Sequence, residues 1–406
     1  MPQARIIIDD RNDRVRLGHP WIFGTQVLKE EGAYVPGDVV QVLDAKRRAL
    51  GQGYINPASM IRVRLLTSDP ADRVSKAFIT ARLKRAVAFR QGRGLRPDGR
   101  GGWEGSCRLV FGESDLLPGL VVDRFQDVER GETALVAQFL TLGMERWRDV
   151  VIEVLQEEVR PAVLVLRNDV PIREKEGLPL EKGFAGKAGR TDLVIAEGDG
   201  GVRTHVDLMG GQKTGHFLDQ TLNHAAMALV GPGRRVLDCF THTGGFALHA
   251  AKHGATEVLG LDISAEAVAM AARNAALNGF QRTTFREANV FDHLAAMDRR
   301  GERWDTIVLD PPAFAKSKGA LENAYRGYKE INLRAMKCLP SGGFLVTCSC
   351  SQHMTPELFR QVLADAALDA GRRLRELYSG SQPPDHPILW GLPETHYLKC
   401  LILEVL

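Results

Sequence analysis

The sequence predicts an α/β protein whose C-terminal half is a parallel sheet with helices on both faces. The first observation is a regular alternation of strand-like and helical segments from about residue 186 onward. Such alternation is typical of parallel sheets, because each crossover helix returns the chain to the same edge. The second is a change of hydrophobic pattern near residues 68 and 185. Together they predict three domains, at residues 1–68, 70–185 and 186–406.

The composition is typical of a globular protein with more than one domain. The chain has 406 residues, of which 44% are hydrophobic and 25% charged, and this length exceeds that of one ordinary core. It has no apolar run of membrane-spanning length, and charged residues interrupt the N-terminus too early for a signal peptide. The six cysteines are scattered and lack zinc-ligand spacing. We therefore expect a cytoplasmic protein with reduced thiols, no bound metal and no membrane partner.

The pattern of residues 1–68 predicts a small, basic, β-rich domain. Turn signals separate short apolar runs, and the candidate strands are residues 6–8, 39–43 and 61–66. Residues 1–100 contain 19 Lys and Arg against 10 Asp and Glu, whereas the remainder is net acidic. Arg62 and Arg64 lie two apart and would share one face of a strand. Such a surface suits RNA phosphates, and a dimerisation domain is the alternative.

Residues 70–185 predict a second α/β unit. Its first helix has a rough apolar stripe, made of Val74, Phe78, Ile79, Leu83, Val87 and Phe89. A loop rich in Gly and Arg follows at 92–102. The candidate strands are residues 108–111, 120–122, 133–139 and 163–166, with a long helix at 144–158.

The pattern of the third domain, residues 186–406, predicts the parallel sheet. Its candidate strands are residues 235–238, 257–262, 284–287, 306–310, 343–347 and 397–405. Its candidate helices are residues 244–252, 265–278, 325–337 and 356–370. Ligands of such sheets bind at the carboxyl ends of the strands, so we search there for functional residues.

The loop after the first of these strands contains the strongest local motif. Asp238 ends the strand, and two glycines beginning with Gly244 open the next helix, where N–H groups can bind a carboxylate. The loop does not match Gly-x-Gly-x-x-Gly, which argues against a dinucleotide. Asp262 ends the next strand and can accept hydrogen bonds from ribose hydroxyls, while Asp292 is a candidate for an adenine amino group. These acids predict a nucleoside-bearing ligand without a pyrophosphate.

Two later strand ends supply candidate catalytic residues. Asp310 precedes two prolines, which hold the backbone at the rim of the sheet. Cys348 and Cys350 end the next strand, two apart, so their side chains would share one face. A thiolate that adds to carbon 6 of cytosine makes carbon 5 able to attack a methyl sulfonium. Asp310 would hold the ring by its N3 or amino group.

With these motifs the chain resembles the bacterial large-subunit (23S) ribosomal RNA cytosine-5 methyltransferases that carry a PUA domain. The resemblance spans nearly the whole chain. The motifs that carry it are residues 238–240, 243–246, 310–312 and 349–351, and, more specifically, residues 111–124 and 211–220. It implies an N-terminal PUA domain, a central α/β domain and a C-terminal Rossmann-like class I methyltransferase domain. It also implies S-adenosylmethionine as cofactor, ribosomal RNA as substrate and a homodimer.

The resemblance also implies roles for individual residues. The nucleophile falls on Cys350, but Cys348 likewise precedes a serine, so both are kept as catalytic candidates together with Asp310. Lys213 is a candidate partner of the methionine carboxylate. The cofactor-binding candidates are Asp238, Phe240, Thr243, Gly244, Asp262, Asn289, Asp292, Asp310, Gln212, Lys213 and Thr214.

The sequence departs from the family pattern in two places. Thr221 and His224 stand where the family usually has arginines, and no cysteine lies near Asp310 to assist release of the product.

Two rival functions are kept beside this hypothesis. A methyltransferase directed at an exocyclic or ring nitrogen needs no thiolate. A non-catalytic RNA-binding assembly factor would keep the fold without the reaction.

Overall fold

The computed structural model describes residues 3–9, 13–69, 71–92, 105–198, 201–314 and 318–406. The chain divides into two compact units. The N-terminal unit consists of Met1–Ile195, Val206–Leu218 and Pro384–Thr395. The C-terminal unit consists of Ala196–His205, Asp219–Pro383 and His396–Leu406. Across the described ranges, no helix has both the length and the apolar character needed to cross a membrane.

The N-terminal unit begins with a six-stranded sheet. Its strands are β1 (Arg5–Ile8), β2 (Trp21–Phe23), β3 (Val27–Glu31), β4 (Val39–Asp44), β5 (Ala49–Ile55) and β6 (Ile61–Thr67). They lie in the order β2-β6-β5-β4-β1-β3, with β1 parallel to β4 and the other pairs antiparallel. Ile6, Ile8, Val40, Val42 and Val63 are buried in its core. The three strands predicted here are therefore confirmed.

The prediction that Arg62 and Arg64 together form a basic face on β6 is wrong for Arg64. Arg64 is only 7% exposed, and its guanidinium pairs with Glu113 at 3.1 Å and with Glu176 at 3.3 Å. A buried arginine held by two carboxylates has no charge to offer to a phosphate, because separating it would leave both acids unpaired. Arg64 thus acts inside the N-terminal unit, and sequence spacing alone could not show its partners.

A second sheet follows in the same unit. Its elements are α1 (Lys76–Gln91), β7 (Cys107–Phe111), β8 (Leu120–Gln126), β9 (Thr133–Phe139), α2 (Leu142–Glu145), α3 (Arg148–Val159), β10 (Val163–Asn168), α4 (Ile172–Lys175) and β11 (Glu181–Phe184). The strand order is β11-β10-β9-β8-β7. Ile79, Leu83 and Val87 of the predicted stripe are buried, but Phe89 is exposed. The predicted loop at 92–102 lies almost wholly outside the described residues.

The predicted helix at 144–158 is divided in the structure. Trp147 has φ −99° and ψ 7°, so the backbone leaves the helical conformation between α2 and α3. After β11 comes a hairpin of β12 (Asp192–Glu197) and β13 (Val202–Asp207), which the sequence analysis did not predict.

The C-terminal unit contains a seven-stranded sheet. Its elements are α5 (Thr221–Ala225), β14 (Arg235–Cys239), α6 (Gly245–Lys252), β15 (Glu257–Asp262), α7 (Ala265–Leu277), β16 (Thr283–Glu287), α8 (Val290–Arg300), β17 (Thr306–Leu309), α9 (Leu321–Lys337), β18 (Gly343–Ser349), α10 (Pro356–Ala370), β19 (Leu374–Gly380) and β20 (Lys399–Val405). The order is β16-β15-β14-β17-β18-β20-β19.

This sheet confirms the predicted α/β class. Its first five strands are parallel, and β20 runs antiparallel between β18 and β19. Strand β19 was not predicted, because most of its side chains are polar or exposed. The carboxyl ends of β14, β15, β17 and β18 meet at one edge, which brings their terminal residues together.

Candidate active site

The loop between β14 and α6 has an unusual backbone. Phe240, His242 and Gly244 all have positive φ angles, of 65°, 48° and 97°. Gly244 is the N-cap of α6, and a methyl group there would lie 3.2–3.3 Å from Leu248 and Phe285. The loop therefore needs glycine at this position for both conformation and space. Thr243 is half-buried beside it.

Asp238 lies buried beneath this loop. Its Oδ2 accepts hydrogen bonds from Thr241 Oγ1 at 2.6 Å and from the Ala247 N–H at 3.0 Å. Burial raises its pKa to about 7. Its Oδ1 is buried and has no hydrogen-bond partner among the described residues. A buried acceptor without a donor costs free energy, and a cationic ligand group that supplied the donor would remove that cost.

Asp262 ends β15 and is fixed by the neighbouring backbone. Its Oδ2 accepts from the His242 N–H at 2.9 Å and its Oδ1 from the Ser264 N–H at 3.0 Å. These bonds orient the carboxylate and leave each oxygen a further lone pair, since a carboxylate oxygen can accept two hydrogen bonds. Asp262 is half-buried, so hydroxyl groups of a ligand could reach it.

Asn289 and Asp292 lie at the start of α8, and both are exposed. The Asn289 Oδ1 caps the helix by accepting from the N–H groups of Phe291 and Asp292. The ring of Phe291 lies 6.4 Å from that of Phe240 and 6.2 Å from that of Phe314, measured between centroids. These rings form an aromatic row between the Asp238 loop and the end of β17.

Asp310 follows β17 and is held by a chain of side-chain hydrogen bonds. Gln220 Nε2 donates to Asp310 Oδ2 at 3.0 Å, and Asn223 Nδ2 donates to Gln220 Oε1 at 2.7 Å. Gln220 and Asn223 are both buried. Gln220 belongs to the motif at residues 211–220, but its role could not be predicted because it lies 90 residues from Asp310. The structure shows that it orients the Asp310 carboxyl.

Cys348 and Cys350 have different environments. Cys348 is fully buried in an apolar cluster, opposite Cys400 of β20. Burial, together with Cys400, raises the pKa of the Cys348 thiol well above its usual value. Cys350 lies one residue beyond the end of β18 and is half-buried. A reactive thiol needs access to its substrate, and of these two cysteines Cys350 is the accessible one.

A buried cation lies beside Cys350. Lys399 is 5% exposed, and its Nζ donates to the carbonyl oxygens of Ser351 and Tyr397, each at 2.8 Å. Burial lowers the pKa of Lys399 to about 8, and the charge of Cys350 acts in the opposite direction. An ammonium at this position favours the thiolate over the thiol. The sequence did not predict a role for Lys399, because its partner Ser351 lies 48 residues away in the chain.

Tyr328 of α9 completes the surroundings of the β18 terminus. Its hydroxyl accepts a hydrogen bond from Ser349 Oγ at 3.0 Å and lies 3.2 Å from Ser351 Oγ. Burial raises the pKa of Tyr328 to about 12, so the phenol stays protonated. Its ring contacts that of Phe314 at 4.7 Å between centroids. The tyrosine therefore links the side chains of the two serines on either side of Cys350.

Family models match both ends of the chain. A model described as an S-adenosylmethionine-dependent methyltransferase matches residues 187–389, and one described as a PUA-like domain matches residues 6–68. The protein named ribosomal RNA large subunit methyltransferase I from Tolumonas auensis is 40% identical over 399 residues, which is 98% of each chain. That of Aeromonas hydrophila is 40% identical over the full length of both. The chain belongs to this methyltransferase family.

Solved structures agree with this fold. A structure described as an S-adenosylmethionine-dependent methyltransferase from Streptococcus mutans superimposes with a TM-score of 0.80, at 16% identity. The match covers 98% of this chain and 99% of that one. A second structure, described as a methyltransferase complexed with SAH, matches equally well. At this identity the likeness shows the fold, and it confirms the predicted methyltransferase architecture with its PUA-like N-terminal domain.

S-adenosylmethionine is the cofactor of this family of methyltransferases, and the residues at the strand ends fit it. The unpartnered Oδ1 of Asp238 suits a cationic group, and the oriented carboxylate of Asp262 suits hydroxyl groups. The N–H groups at the start of α6 suit a carboxylate. Asp238 and Asp262 remain our candidates for binding the cofactor.

Three cofactor candidates belong to the N-terminal unit. Gln212 and Lys213 are exposed, and Lys213 Nζ lies 4.3 Å from the centroid of the Phe217 ring. Thr214 is buried, and its hydroxyl donates to Asp123 Oδ2 at 2.6 Å. Their proposed contacts with the cofactor rest on the family resemblance alone and stay predictions.

Proposed function

We propose that this protein transfers a methyl group from S-adenosylmethionine to carbon 5 of a cytosine in large-subunit ribosomal RNA. The names of its relatives support ribosomal RNA as substrate. The observation that carries the choice of carbon 5 is a half-buried cysteine, Cys350, at the carboxyl end of β18 and beside the buried ammonium of Lys399. Nitrogen-directed methylation has no use for such a thiol.

The proposed reaction needs a nucleophile because carbon 5 of cytosine is a weak one. The Cys350 thiolate adds to carbon 6, and the electron pair of the 5,6 double bond moves to carbon 5. Bound S-adenosylmethionine supplies the electrophilic methyl group that carbon 5 takes up. A base then removes the carbon-5 proton, the double bond forms again and the thiolate leaves.

We assign to Asp310 the role of holding the cytosine ring during this sequence. Strands β17 and β18 are parallel neighbours, with Leu309 opposite Thr347. Asp310 and Cys350 each come directly after the end of one of these strands, so both lie at the carboxyl edge of the sheet. The hydrogen bond from Gln220 keeps the Asp310 carboxyl oriented. A protonated Asp310 carboxyl that donates its proton to N3 would stabilise the negative charge that addition of the thiolate pushes into the ring, while a carboxyl that accepts a hydrogen bond from the amino group would only hold the ring in place.

Lys399 provides the charge that this chemistry requires of the enzyme. Its ammonium is buried and held by two backbone carbonyls, so it cannot turn away from Cys350 without losing both bonds. A fixed cation lowers the cost of forming the thiolate and of regenerating it when the product leaves. Lys399 is therefore proposed as a positioning residue that acts through Cys350.

The proposal is tested by trapping the adduct. RNA that carries 5-fluorocytosine has no carbon-5 proton to lose, so the cysteine adduct should accumulate and survive denaturing electrophoresis. We expect the wild-type chain and Cys348→Ala to form the adduct and Cys350→Ala to form none. Cys348→Ala is the matched control, because it removes a thiol two residues away. An adduct that persists in Cys350→Ala would refute the assignment of the nucleophile.

One observation favours a second candidate, a nitrogen-directed methyltransferase. The Asp310 carboxyl precedes two prolines and Phe314, whose ring stacks near Tyr328. An acid beside an aromatic surface can bind a base through its amino group without any thiol. This function predicts that the Cys348→Ala, Cys350→Ala double variant keeps full activity, whereas the proposed function predicts that it is inactive.

A further inference from the structure

Three buried residues with metal-ligating side chains meet in the C-terminal unit, away from the β18 terminus. They are Glu197 at the end of β12, His224 in α5 and His249 in α6. Their exposed fractions are 4%, 5% and 2%. The ligand atoms of all three lie within 4.8 Å of one another. Buried groups of this kind are rare unless they are paired or bind a metal, so the cluster needs an explanation.

The carboxylate of Glu197 lies between the two imidazoles. Its Oε2 is 2.8 Å from His224 Nδ1 and 3.3 Å from His249 Nε2. Tetrahedral zinc with bonds of about 2.0–2.1 Å needs its ligand atoms about 3.3 Å apart. The separation from His249 Nε2 already equals that of a zinc site, and the separation from His224 Nδ1 would lengthen by about 0.5 Å when an ion replaces the shared proton.

Hydrogen bonding within the chain does not satisfy the cluster. One Glu197–His224 hydrogen bond accounts for a single imidazole nitrogen. His249 Nδ1 is buried and has no hydrogen-bond partner within the part of the chain that the structure describes. The Glu197 carboxylate pairs with His224 and lies 3.3 Å from His249 Nε2, so this ion pair leaves the Nδ1 atom of His249 unexplained.

We propose that Glu197, His224 and His249 bind a divalent transition-metal ion, with Zn²⁺ the best match. One carboxylate and two imidazoles are ligands that zinc accepts in a four-coordinate site, the fourth position being left to water. Binding displaces the proton shared by Glu197 and His224. The cysteine spacing that argued against zinc does not bear on this site, because its ligands come from three separate elements.

The position of the cluster indicates a structural role beside the cofactor loop. A methyl group on Gly245 would lie 2.5 Å from the His224 ring, so the backbone at the start of α6 packs directly on that imidazole. The ring of Phe246, the next residue of α6, packs edge-on against the same imidazole, with 4.7 Å between centroids. A metal ion would therefore fasten α5, α6 and β12 together next to Gly244.

The test measures zinc binding by the full chain, prepared without a histidine tag and freed of metal. Zn²⁺ is titrated against a chromophoric chelator, and thermal unfolding is followed with and without one equivalent. We expect about one tight equivalent, and a rise in Tm of roughly 5 °C. Wild-type protein that takes no Zn²⁺ from the chelator would overturn the proposal and leave a buried ion pair as the explanation.

Variants show which side chains bind the ion. His249→Ala and Glu197→Gln should each weaken zinc binding by at least about 100-fold, since each removes one of three protein ligands. Glu197→Gln keeps the volume and a hydrogen-bond acceptor for His224, so it preserves the fold if His249→Ala does not. His253→Ala is the control, because this histidine lies near His249 but outside the cluster. Unchanged binding in Glu197→Gln and His249→Ala would contradict the assigned ligands.

Discussion

The Lys399 ammonium donates a hydrogen bond of 2.8 Å to the carbonyl oxygen of Ser351. This bond joins the first residue of β20 to the residue that follows Cys350, two segments that are 48 residues apart in sequence. It holds a buried cation beside the proposed nucleophile. The reactivity of Cys350 should therefore depend on a residue that no local motif contains.

Lys399→Met should reduce the thiolate fraction of Cys350 at neutral pH, because it removes the nearby positive charge while keeping the apolar stem. We expect the pH dependence of Cys350 alkylation by iodoacetamide to move to higher pH, and kcat to fall by about 10- to 100-fold at pH 7.5. Lys399→Arg should recover part of the rate, since it restores the charge. A merely structural role would lower kcat without moving the alkylation profile.

Cofactor affinity should depend on pH through Asp238. Its folded-state pKa is raised to about 7 by burial, so the carboxyl is protonated below that pH and ionised above it. A cationic group of the cofactor prefers the ionised form, so the Kd for S-adenosylmethionine should fall as pH rises from 6 to 7.5. The change cannot exceed about tenfold per pH unit for one proton. Calorimetry over this range checks it.

Asp238→Asn serves as the control for that titration. Asparagine has the same shape but no ionisable carboxyl, so its affinity for the cofactor should be weaker and independent of pH in this window. An equally steep pH dependence in this variant would assign the proton to another group.

Ionisation of Asp238 should affect the stability of the unliganded fold in the direction opposite to its effect on cofactor affinity. Because its folded pKa lies above the unfolded value, the protonated form stabilises the fold, and this contribution is fully present below the unfolded pKa. It decreases as pH rises through about 7. Cofactor binding should therefore raise Tm more at pH 8 than at pH 6, which thermal unfolding with and without S-adenosylmethionine measures.

Asp310 and Gln220 should affect the rate to different extents. Asp310→Asn removes the acidic proton that the carboxyl offers to the ring, and we expect kcat to fall by about 10²- to 10³-fold. Gln220→Ala removes only the hydrogen bond that orients Asp310, so a loss of about tenfold is expected. Equal effects of the two substitutions on kcat would show that Gln220 does more than orient the carboxyl.

Arg64 should matter for stability and not for RNA binding. Arg64→Ala leaves the Glu113 and Glu176 carboxylates without this cationic partner in the N-terminal unit, which should cost roughly 3 kcal/mol in the free energy of unfolding. RNA affinity should fall steeply with salt through counterion release, and this slope should be the same in the variant. A shallower slope for folded Arg64→Ala would show that this arginine contacts phosphate after all.

Much of the C-terminal sheet could be predicted because its signals are local. Strand β15 and helix α10 have the bounds that the pattern predicts, since each is a periodic segment with clear breaks on both sides. Asp238, Asp262 and Asp310 were found in the same way, because a carboxylate that follows a buried strand is visible in sequence. Their role in binding remains a prediction.

The residues that orient the site could not be found this way. Lys399 and Gln220 act on partners far along the chain, and nothing near them in sequence indicates those partners. Arg64 was taken for a surface charge because spacing shows the face of a strand but not what covers that face. The different burial of Cys348 and Cys350 could not be predicted either, because spacing does not show what covers each side chain.

Analysis of the methylated nucleoside tests the central claim most directly. Large-subunit ribosomal RNA that lacks the modification is incubated with S-adenosylmethionine and the enzyme, digested, and examined by chromatography with mass spectrometry. The wild-type chain and Cys348→Ala should yield 5-methylcytidine, and Cys350→Ala should yield none. Methylation on a ring or exocyclic nitrogen, or 5-methylcytidine at the wild-type rate from Cys350→Ala, would contradict the account.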